Sequence, residues 1–407
     1  MRVNPFRAVA LLLLTAACGG AGDDARSAAA SAGDAVVEAG DRARAVFTAS
    51  PFWRSSGDPS RQQLEGGRMD PSWRGAVRLD SLRGARRPNP ERWEGLTPAR
   101  VNSGTTFLPL GGDVSGPSVL RTQILLDRAL FSPGIMDGRW GKNTEKAVYW
   151  LQKREGLSAT GVVDSVTFVR LRELGGNPST LIVRHRLTAE DVEGPFIELP
   201  DSIYEKAKLD CMCYESLSEK LSERFHITPE LLQQLNPGVN LDAVAAGAAL
   251  SVPAVRGPDA SMPGRVARVL VSKGGFFVHA LDAKGRILAH FPSTLGSDYD
   301  PSPQGDFKIN SVTEDPWWHY QPSILANVPS DRPEATIPPG PNNAVGSVWI
   351  DLTAPHYGIH GTSAPETIGY VSSAGCVRLT NWDALFLGRG VRPGIRVKFS
   401  DTGAGTG

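Results

Sequence analysis

Short runs in which apolar and polar residues alternate follow one another in the last third of the chain, and they predict β-strands. The runs are residues 267–272, 276–281 and 287–291, separated by glycine-containing bends at Gly274-Gly275 and residues 283–285. Alternation with a period of two places every second side chain on a core, and glycine permits tight turns between neighbouring strands. We therefore expect a mostly-β domain in this part of the chain.

Apolar residues upstream recur at helical spacing instead. Residues 118–130 have this pattern, and residues 143–155 and 165–174 predict two further helices after a glycine-containing loop at 133–138. We expect these helices to form a small α-helical bundle over residues 117–176.

A third region combines helical and strand patterns. Residues 216–225 and 228–236 predict helices, the second of which begins with a capping threonine and a proline, and a closing strand follows. A first strand from residues 209–214 would complete a small α+β module over residues 209–254. The residues before it, 177–208, are interpreted as a linker.

The N-terminus carries Arg2 and Arg7, followed by an apolar run over residues 8–17. A helix needs about 20 apolar residues to span a bilayer, so this run fits the core of a signal peptide instead. Small residues before Cys18 resemble a bacterial lipoprotein cleavage site, where this cysteine would become the lipid-bearing N-terminus and a membrane anchor. We expect residues 1–18 to direct export to the periplasm as an outer-membrane lipoprotein, or alternatively as a soluble secreted protein.

Residues 19–116 are rich in Ala, Gly, Ser and Asp and lack a sustained apolar pattern, which predicts a low-complexity tether. Trp53, Trp73 and Trp93 stand out within it. We expect these tryptophans to dock onto a folded domain.

Composition supports a multidomain chain without a nucleic-acid partner. The 407 residues, 41% of them hydrophobic, are enough for two or three domains, each with its own core. The 43 basic and 43 acidic residues give a formal charge of zero. This balance offers no electrostatic basis for binding nucleic acid.

Residues 359–379 hold the residue types that acyl transfer requires. Cys376 follows Gly375 and lies two residues before Arg378, and His360 lies upstream. A cysteine attacks carbonyl carbons as the thiolate, and its ordinary pKa of about 8.5 means that it needs a neighbouring imidazole or cation. Gly375 permits a tight turn that brings backbone N–H groups towards an oxyanion. A buried structural thiol is the alternative, which the spaced His-Gly and Gly-Cys-Val-Arg motifs disfavour.

The run His-Gly-Thr, then Ile-Gly, then Ser-x-Gly-Cys-Val-Arg-Leu resembles the signature of the L,D-transpeptidases of bacterial cell walls. The segments at residues 303–309 and 337–343 are similar to segments that precede this signature in the family. The resemblance covers residues 265–399 and implies a small β-sandwich-like catalytic domain with a groove leading to the cysteine. Residues 317–320, a dense aromatic group, are interpreted either as packing or as part of a groove wall.

The resemblance also implies roles for individual residues. Cys376 would be the nucleophile and His360 its base, and a carbonyl near Ser373 would orient the imidazole. Contacts with the substrate or the oxyanion are expected from a set of residues around the nucleophile: Ser373, Gly375, Arg378 and Gly361.

The implied reaction is peptidoglycan 3→3 cross-linking through a cysteine acyl-enzyme, a step in cell-wall organisation and cell shape. The acceptor stays open among a stem-peptide amine, a protein, a D-amino acid and water. A cell-wall amidase or hydrolase on the same scaffold is one alternative, and an inactive peptidoglycan-binding anchor is another.

Two further resemblances concern the upstream modules, and both imply peptidoglycan as the partner. Residues 209–254 resemble a LysM module without its usual Gly-Asp-Thr opening, so retention of glycan binding is open. The bundle resembles the three-helix peptidoglycan-binding module through turn glycines, polar residues and two apolar residues at characteristic positions: Gln123, Asp137, Gly138, Gly141, Thr144, Ala147, Gln152, Gly156, Leu157, Thr160, Gly161, Asp164 and Thr167.

No metal or cofactor is predicted. His356 and His360 lie four residues apart, but on an extended strand their side chains would be about 13 Å apart, too far to share an ion. We expect His356 to be a surface residue. Cys211 and Cys213 are interpreted as two small unpaired residues, with a reducible local disulfide as the alternative.

Overall fold

The computed structural model describes residues 89–298, 300–325 and 328–400. The predicted signal peptide, the predicted lipidation site Cys18, Trp53, Trp73 and most of the predicted tether lie outside these residues. Within them, no helix has the length and apolar character needed to cross a membrane.

The predicted tether ends earlier than expected, because residues 89–116 are folded. A 3₁₀ turn at Trp93–Gly95 and the short helix α1, Pro98–Asn102, pack on the following bundle. Leu96 and Leu110 are fully buried there. These apolar residues are too widely spaced to give a periodic pattern, so the sequence did not reveal the segment.

Trp93 docks onto the bundle as expected. Its indole Nε1 donates a hydrogen bond to the carbonyl of Asp137 at 2.8 Å. The guanidinium of Arg139 lies 4.8 Å from the centre of its ring, within the range of a cation–π contact.

The three predicted bundle helices are confirmed as α2, α3 and α4, which are Pro117–Arg128, Lys142–Glu155 and Ser165–Leu174. Asp164 caps α4 by accepting a hydrogen bond from the backbone N–H of Thr167 at 2.7 Å.

The next module has the predicted order of strand, two helices and strand, but its first strand was wrongly placed. Strand β1 is Ile182–Arg186, within the predicted linker, and pairs antiparallel with β2, Ala249–Pro253. The three basic residues of β1 weaken its apolar pattern, so the sequence favoured residues 209–214 instead.

An insertion separates β1 from the two helices of this module. It contains the short helices α5, Ala189–Val192, and α6, Ile203–Lys206, and a disulfide between Cys211 and Cys213. The interpretation of two unpaired cysteines was therefore wrong. Their Cα atoms are 5.2 Å apart, a separation that a disulfide can span. The helices that follow are α7, Leu217–Arg224, and α8, Pro229–Leu235.

The predicted catalytic region contains a curled eight-stranded sheet. The strand bounds are β3 Arg268–Ser272, β4 Phe277–Leu281, β5 Ile287–Pro292, β6 Gly305–Glu314, β9 Val348–Leu352, β10 Gly358–His360, β11 Val377–Arg378 and β12 Arg396–Ser400. Along the sheet these strands follow the order β11-β10-β9-β6-β12-β3-β4-β5. The three strands predicted from alternation are confirmed as β3, β4 and β5.

The expected mostly-β domain is confirmed, and its two halves are continuous through one shared strand. Strand β6 pairs with β12 along its first half and with β9 along its second, with an irregularity between Ile309 and Ser311. One long strand therefore belongs to both halves of the sheet. A bridge between Thr294 and Arg378 connects the two ends of the strand order and completes the curl.

Two further elements complete the region. A separate hairpin is formed by β7, Trp318–Tyr320, and β8, Ala335–Ile337, and the helix α9 is Asn381–Gly390.

The modules pack directly against the catalytic region. The buried guanidinium of Arg256 forms ion pairs with Asp127 of α2 and Asp383 of α9. Asp127 also contacts the imidazole of His226, which lies between α7 and α8, at 3.0 Å. A single cluster of buried polar side chains thus joins the bundle, the α+β module and helix α9 of the catalytic region.

Candidate active site

The predicted base and nucleophile lie on neighbouring strands. Strands β10 and β11 run parallel, with Ile359 beside Val377 and His360 beside Arg378. Paired residues on neighbouring strands project from the same face of a sheet, and so do residues two positions apart. His360, Arg378 and Cys376 are therefore brought to one face.

His360 is held as a neutral base. Its side chain is 3% exposed, and its Nδ1 lies 2.7 Å from the carbonyl oxygen of Gly361. Burial lowers the pKa of His360 to about 3, assisted by the charge of Arg378 and opposed by the carbonyls of Gly361 and Val345. The Nδ1 proton thus points to Gly361, which leaves the lone pair on Nε2 to accept a proton.

The carbonyl that orients the imidazole is not the one implied by the family resemblance. The carbonyl of Ser373 accepts a hydrogen bond from the N–H of Ser297 at 3.2 Å. Gly361 takes the expected part because it directly follows His360 in the chain, where its carbonyl reaches Nδ1. The side chain of Ser373 instead donates to the carbonyl of Cys376 at 2.6 Å.

Cys376 is half-buried and is a free thiol. Burial raises its pKa, whereas the N–H of Gly358 and the charge of Arg378 act in the opposite direction. The sulfur donates to the carbonyl of His356 at 3.6 Å. A thiol with a raised pKa beside an imidazole with a lowered pKa is a neutral pair, so attack requires proton transfer to the base.

His356 has an exposed side chain, as expected, but contributes its carbonyl to the site. It adopts a φ of 66°, which is uncommon for a residue with a side chain and turns the chain at this point. Sequence reasoning missed this contact, since any residue type carries a carbonyl.

Gly375 occupies a turn that requires glycine. Its φ is 96°, and an added Cβ would lie 2.8 Å from the ring of Tyr357. Its carbonyl accepts a hydrogen bond from the buried hydroxyl of Ser302 at 2.7 Å. Within the described part of the chain, the N–H groups of Gly375 and Cys376 have no hydrogen-bond acceptor, which is the arrangement that an oxyanion site needs. Ser302 carried no sequence signal for this role.

Arg378 adds a positive charge beside both reacting groups. Burial lowers its pKa to about 10, and the neighbouring Cys376 opposes that change. Its backbone exchanges hydrogen bonds with Thr294 at 2.9 and 3.0 Å. The guanidinium therefore remains cationic near neutral pH, and the sheet fixes the backbone that carries it.

Trp349 is a site residue that the sequence did not reveal. It lies beside His360 in the antiparallel pairing of β9 and β10. Its ring also covers Gly358, where an added Cβ would approach the indole to 2.5 Å. No spacing in the sequence indicates which residue lies beside this tryptophan.

Asn381, the first residue of α9, packs against Gly361 and Gly346. An added Cβ at either glycine would collide with its Oδ1 atom. Gly361 was predicted to contact substrate or oxyanion. In the structure its carbonyl orients the base, and its lack of a side chain makes room for Asn381.

The aromatic segment forms part of the β7–β8 hairpin. Trp317 is 57% exposed, and Tyr320 packs edge-on against Trp318 and against Tyr204 of the insertion. Within the described residues, no group of three His, Cys, Asp or Glu side chains is arranged to hold a metal ion.

A thiol, a neutral imidazole and two available backbone N–H groups define a cysteine acyltransferase. Residues 266–398 match the L,D-transpeptidase catalytic domain, and residues 115–171 match a peptidoglycan binding domain. The chain belongs to the L,D-transpeptidase family.

Two relatives support this membership. The L,D-transpeptidase YkuD of Bacillus licheniformis is 31% identical over 182 residues, which are 45% of this chain and 92% of that protein. An L,D-transpeptidase in the ATP synthase subunits region of Fuscovulum blasticum is 32% identical over 163 residues, or 34% of this chain and 82% of that one.

A solved L,D-transpeptidase from Xylanimonas cellulosilytica is 16% identical, covers 72% of this chain and 100% of its own, and has a TM-score of 0.30.

Proposed function

We propose that this protein forms 3→3 cross-links in peptidoglycan, with Cys376 as the nucleophile and His360 as its base. The observation that carries the proposal is the pairing of β10 with β11, which brings the neutral imidazole and the thiol to one face of the sheet. The family membership supplies the reaction class, and these residues supply the chemistry.

The first half-reaction transfers an acyl group to the enzyme. Nε2 of His360 removes the proton from Cys376, and the thiolate attacks the carbonyl carbon of the third residue of a tetrapeptide stem. The N–H groups of Gly375 and Cys376 stabilise the resulting oxyanion. Collapse of this intermediate breaks the peptide bond, and His360 returns the proton to the amine of the departing D-alanine. A thioester remains on Cys376.

The second half-reaction transfers the acyl group to an acceptor. The side-chain amine of a diaminopimelate on a neighbouring stem attacks the thioester, and His360 accepts its proton. The carbon–sulfur bond breaks, the thiolate departs and is reprotonated, and a new amide bond joins the two stems. The positive charge of Arg378 favours the thiolate in both half-reactions.

The upstream modules are proposed to hold the protein on its polymeric substrate. The bundle is of the peptidoglycan-binding class. The strand-helix-helix-strand order of β1, α7, α8 and β2 supports a LysM-like role in glycan binding. Sedimentation of these modules with insoluble peptidoglycan tests this part, and failure to sediment would contradict it.

The proposed location is the periplasmic face of the outer membrane, with Cys18 as the lipid anchor. The apolar run and the small residues before Cys18 support this location. Equal processing and equal solubility of wild type and Cys18→Ala on cell fractionation would instead support plain secretion.

Muropeptide analysis tests the activity directly. Purified protein is incubated with sacculi rich in tetrapeptide stems, and the digestion products are identified by mass spectrometry. We expect 3→3 linked dimers and released D-alanine, both absent with Cys376→Ala. Tripeptide stems without dimers would favour a hydrolase, and unchanged sacculi would favour a binding protein.

A further inference from the structure

The side-chain amide of Asn381 connects the α+β module with the catalytic region. Its Nδ2 donates to both carboxylate oxygens of Glu223, at 3.2 and 3.0 Å, and to the carbonyl of Pro341 at 3.1 Å. Its Oδ1 accepts from the N–H groups of Ser347, at 3.1 Å, and Thr362, at 3.0 Å. Asn381 is 1% exposed, so its amide group is shielded from water.

The two N–H groups that Asn381 binds belong to the segments that hold the imidazole. Thr362 follows Gly361, whose carbonyl accepts from Nδ1 of His360. Ser347 lies two residues after Val345, whose carbonyl also acts on the imidazole. A displacement of the Asn381 amide would therefore reach the carbonyls of Gly361 and Val345 through at most two residues of backbone.

Glu223 fixes the orientation of this amide. An asparagine side chain can be turned over, which exchanges its oxygen and nitrogen, but a carboxyl acceptor on one side favours the nitrogen there. Among the described residues, Glu223 contacts Asn381 and the hydroxyl of Tyr214, which donates at 2.9 Å. Burial raises the pKa of Glu223 to about 7, and Glu219 adds to the rise, whereas Asn381 and Tyr214 oppose it.

We propose that Glu223, a residue of the α+β module, is a positioning residue for the catalytic base. It holds the Asn381 amide, which in turn fixes the two carbonyl-bearing segments that orient His360. The inference rests on the proposed role of His360 as the base for Cys376. The α+β module would then contribute to the catalytic geometry in addition to any part in wall binding.

Removal of the carboxyl group should slow acylation without abolishing folding. In Glu223→Ala the amide of Asn381 loses its main acceptor, and the imidazole is held less firmly. A small misplacement of a catalytic group can cost up to about 100-fold in rate. We expect acylation of Cys376 by a carbapenem at pH 7 to slow at least tenfold in this variant.

Three variants separate positioning from general stability. Glu223→Gln keeps an oxygen acceptor and should restore most of the rate. Glu223→Asp keeps the charge but withdraws the carboxyl group by one methylene, and should be slow. Arg224→Gln is the matched control, because the neighbouring Arg224 pairs with Asp191 in the insertion at 2.6 Å. It should lower the melting temperature and leave the acylation rate unchanged.

Nitrogen NMR of the His360 imidazole provides a readout that does not require activity. In the wild type, Nδ1 should carry the proton at pH 7. In Glu223→Ala the Nδ1–H signal should broaden or shift, and in Arg224→Gln it should not.

A wild-type acylation rate and an unchanged imidazole signal in Glu223→Ala would overturn the inference. If Glu223→Ala does not fold, a wild-type acylation rate and an unchanged imidazole signal in Glu223→Asp would overturn the inference. Equal losses of acylation rate in Glu223→Gln and Glu223→Ala would also overturn it. Failure of the proposed function looks different: wild type would not be acylated, or Cys376→Ala would be acylated equally. The imidazole signal would still decide the role of Glu223.

Discussion

The indole ring of Trp349 stacks on the imidazole of His360, with 5.4 Å between ring centroids and 24° between ring planes. The pairing of β9 with β10 produces this contact, since the two residues are register partners. The stack covers one face of the imidazole and excludes water from it. The desolvation that lowers the pKa of His360 therefore depends in part on this tryptophan.

Replacement of Trp349 should raise the pKa of His360. In Trp349→Ala water reaches the ring, so protonation costs less and the imidazole is less firmly oriented. We expect the acylation rate at pH 7 to fall between about ten- and a hundredfold. Trp349→Phe, which can still stack, should retain most of the activity. An NMR titration of His360 measures the pKa, and an unchanged value in Trp349→Ala would contradict the role given to the stack.

Cys376 is expected to be the only site of acylation. Cys376→Ala should abolish turnover while the protein remains folded, because a half-buried sulfur contributes little packing. Cys376→Ser should be nearly as inactive, because a hydroxyl ionises far less readily than a thiol. Intact-protein mass spectrometry should show one carbapenem adduct on wild type and none on Cys376→Ala. Residual turnover above a few per cent of wild type would argue against this nucleophile.

The sequence predicted the parts of the site that are local in the chain. The motif around Cys376 and the strands β3 to β5 depend on neighbouring residues and regular alternation, so both could be inferred. The contact of Asn381 with Glu223 joins residues from different modules, and no spacing within either segment indicates it. Every residue type has a backbone carbonyl, so the sequence does not indicate contacts such as the one that the carbonyl of His356 makes with Cys376.

The fold was predictable to a similar extent. Helices with regular apolar spacing were located, whereas β1 was missed because its basic residues obscure the strand pattern. The curl of the sheet follows from the way β6 divides its pairing between two neighbours. Such a division depends on strand length and tertiary packing, which alternation alone does not define.

Stability should decline in acid partly because of the histidine pair His279 and His290. Both are buried, and Nε2 of the first lies 3.0 Å from Nδ1 of the second. Burial lowers the pKa of His279 to about 3 and that of His290 well below its usual value. In the unfolded chain these histidines bind protons below about pH 6.5, whereas in the folded protein they stay neutral to much lower pH. Their contribution to the free energy of unfolding is therefore fully present above about pH 6.5 and is lost as the pH falls.

Urea unfolding at pH 7, 6 and 5 measures this contribution. Each histidine adds at most about 1.4 kcal/mol per pH unit to the slope of unfolding free energy below pH 6.5. The variant His279→Gln/His290→Gln should have a shallower slope. Glu223 and Glu366, whose pKa values are raised to about 7, act in the opposite direction. Both glutamates are present in both proteins, so the difference between the two slopes comes from the histidines. Parallel slopes would mean that the histidine pair does not contribute to the loss of stability in acid.

Reductant should affect this protein in two opposing ways. The reactive Cys376 can be oxidised in air, so we expect activity after storage to require reductant. The same reagent opens the disulfide between Cys211 and Cys213. That segment holds a loop of the catalytic region: the N–H of Met212 donates to the carbonyl of Pro339 at 2.8 Å, and the N–H of Asn342 donates back to Met212 at 3.0 Å.

The variant Cys211→Ser/Cys213→Ser separates the two effects. Without the cross-link the Met212 segment gains conformational freedom, and the loop at residues 338–346, which includes Val345 beside His360, is held less firmly. We expect the variant to melt at a lower temperature than oxidised wild type and to be cleaved faster by protease within this loop. Reductant should lower the melting temperature of wild type to that of the variant and leave the variant unchanged, while it restores Cys376 in both. An equal response of the two proteins would mean that the disulfide does not stabilise the loop.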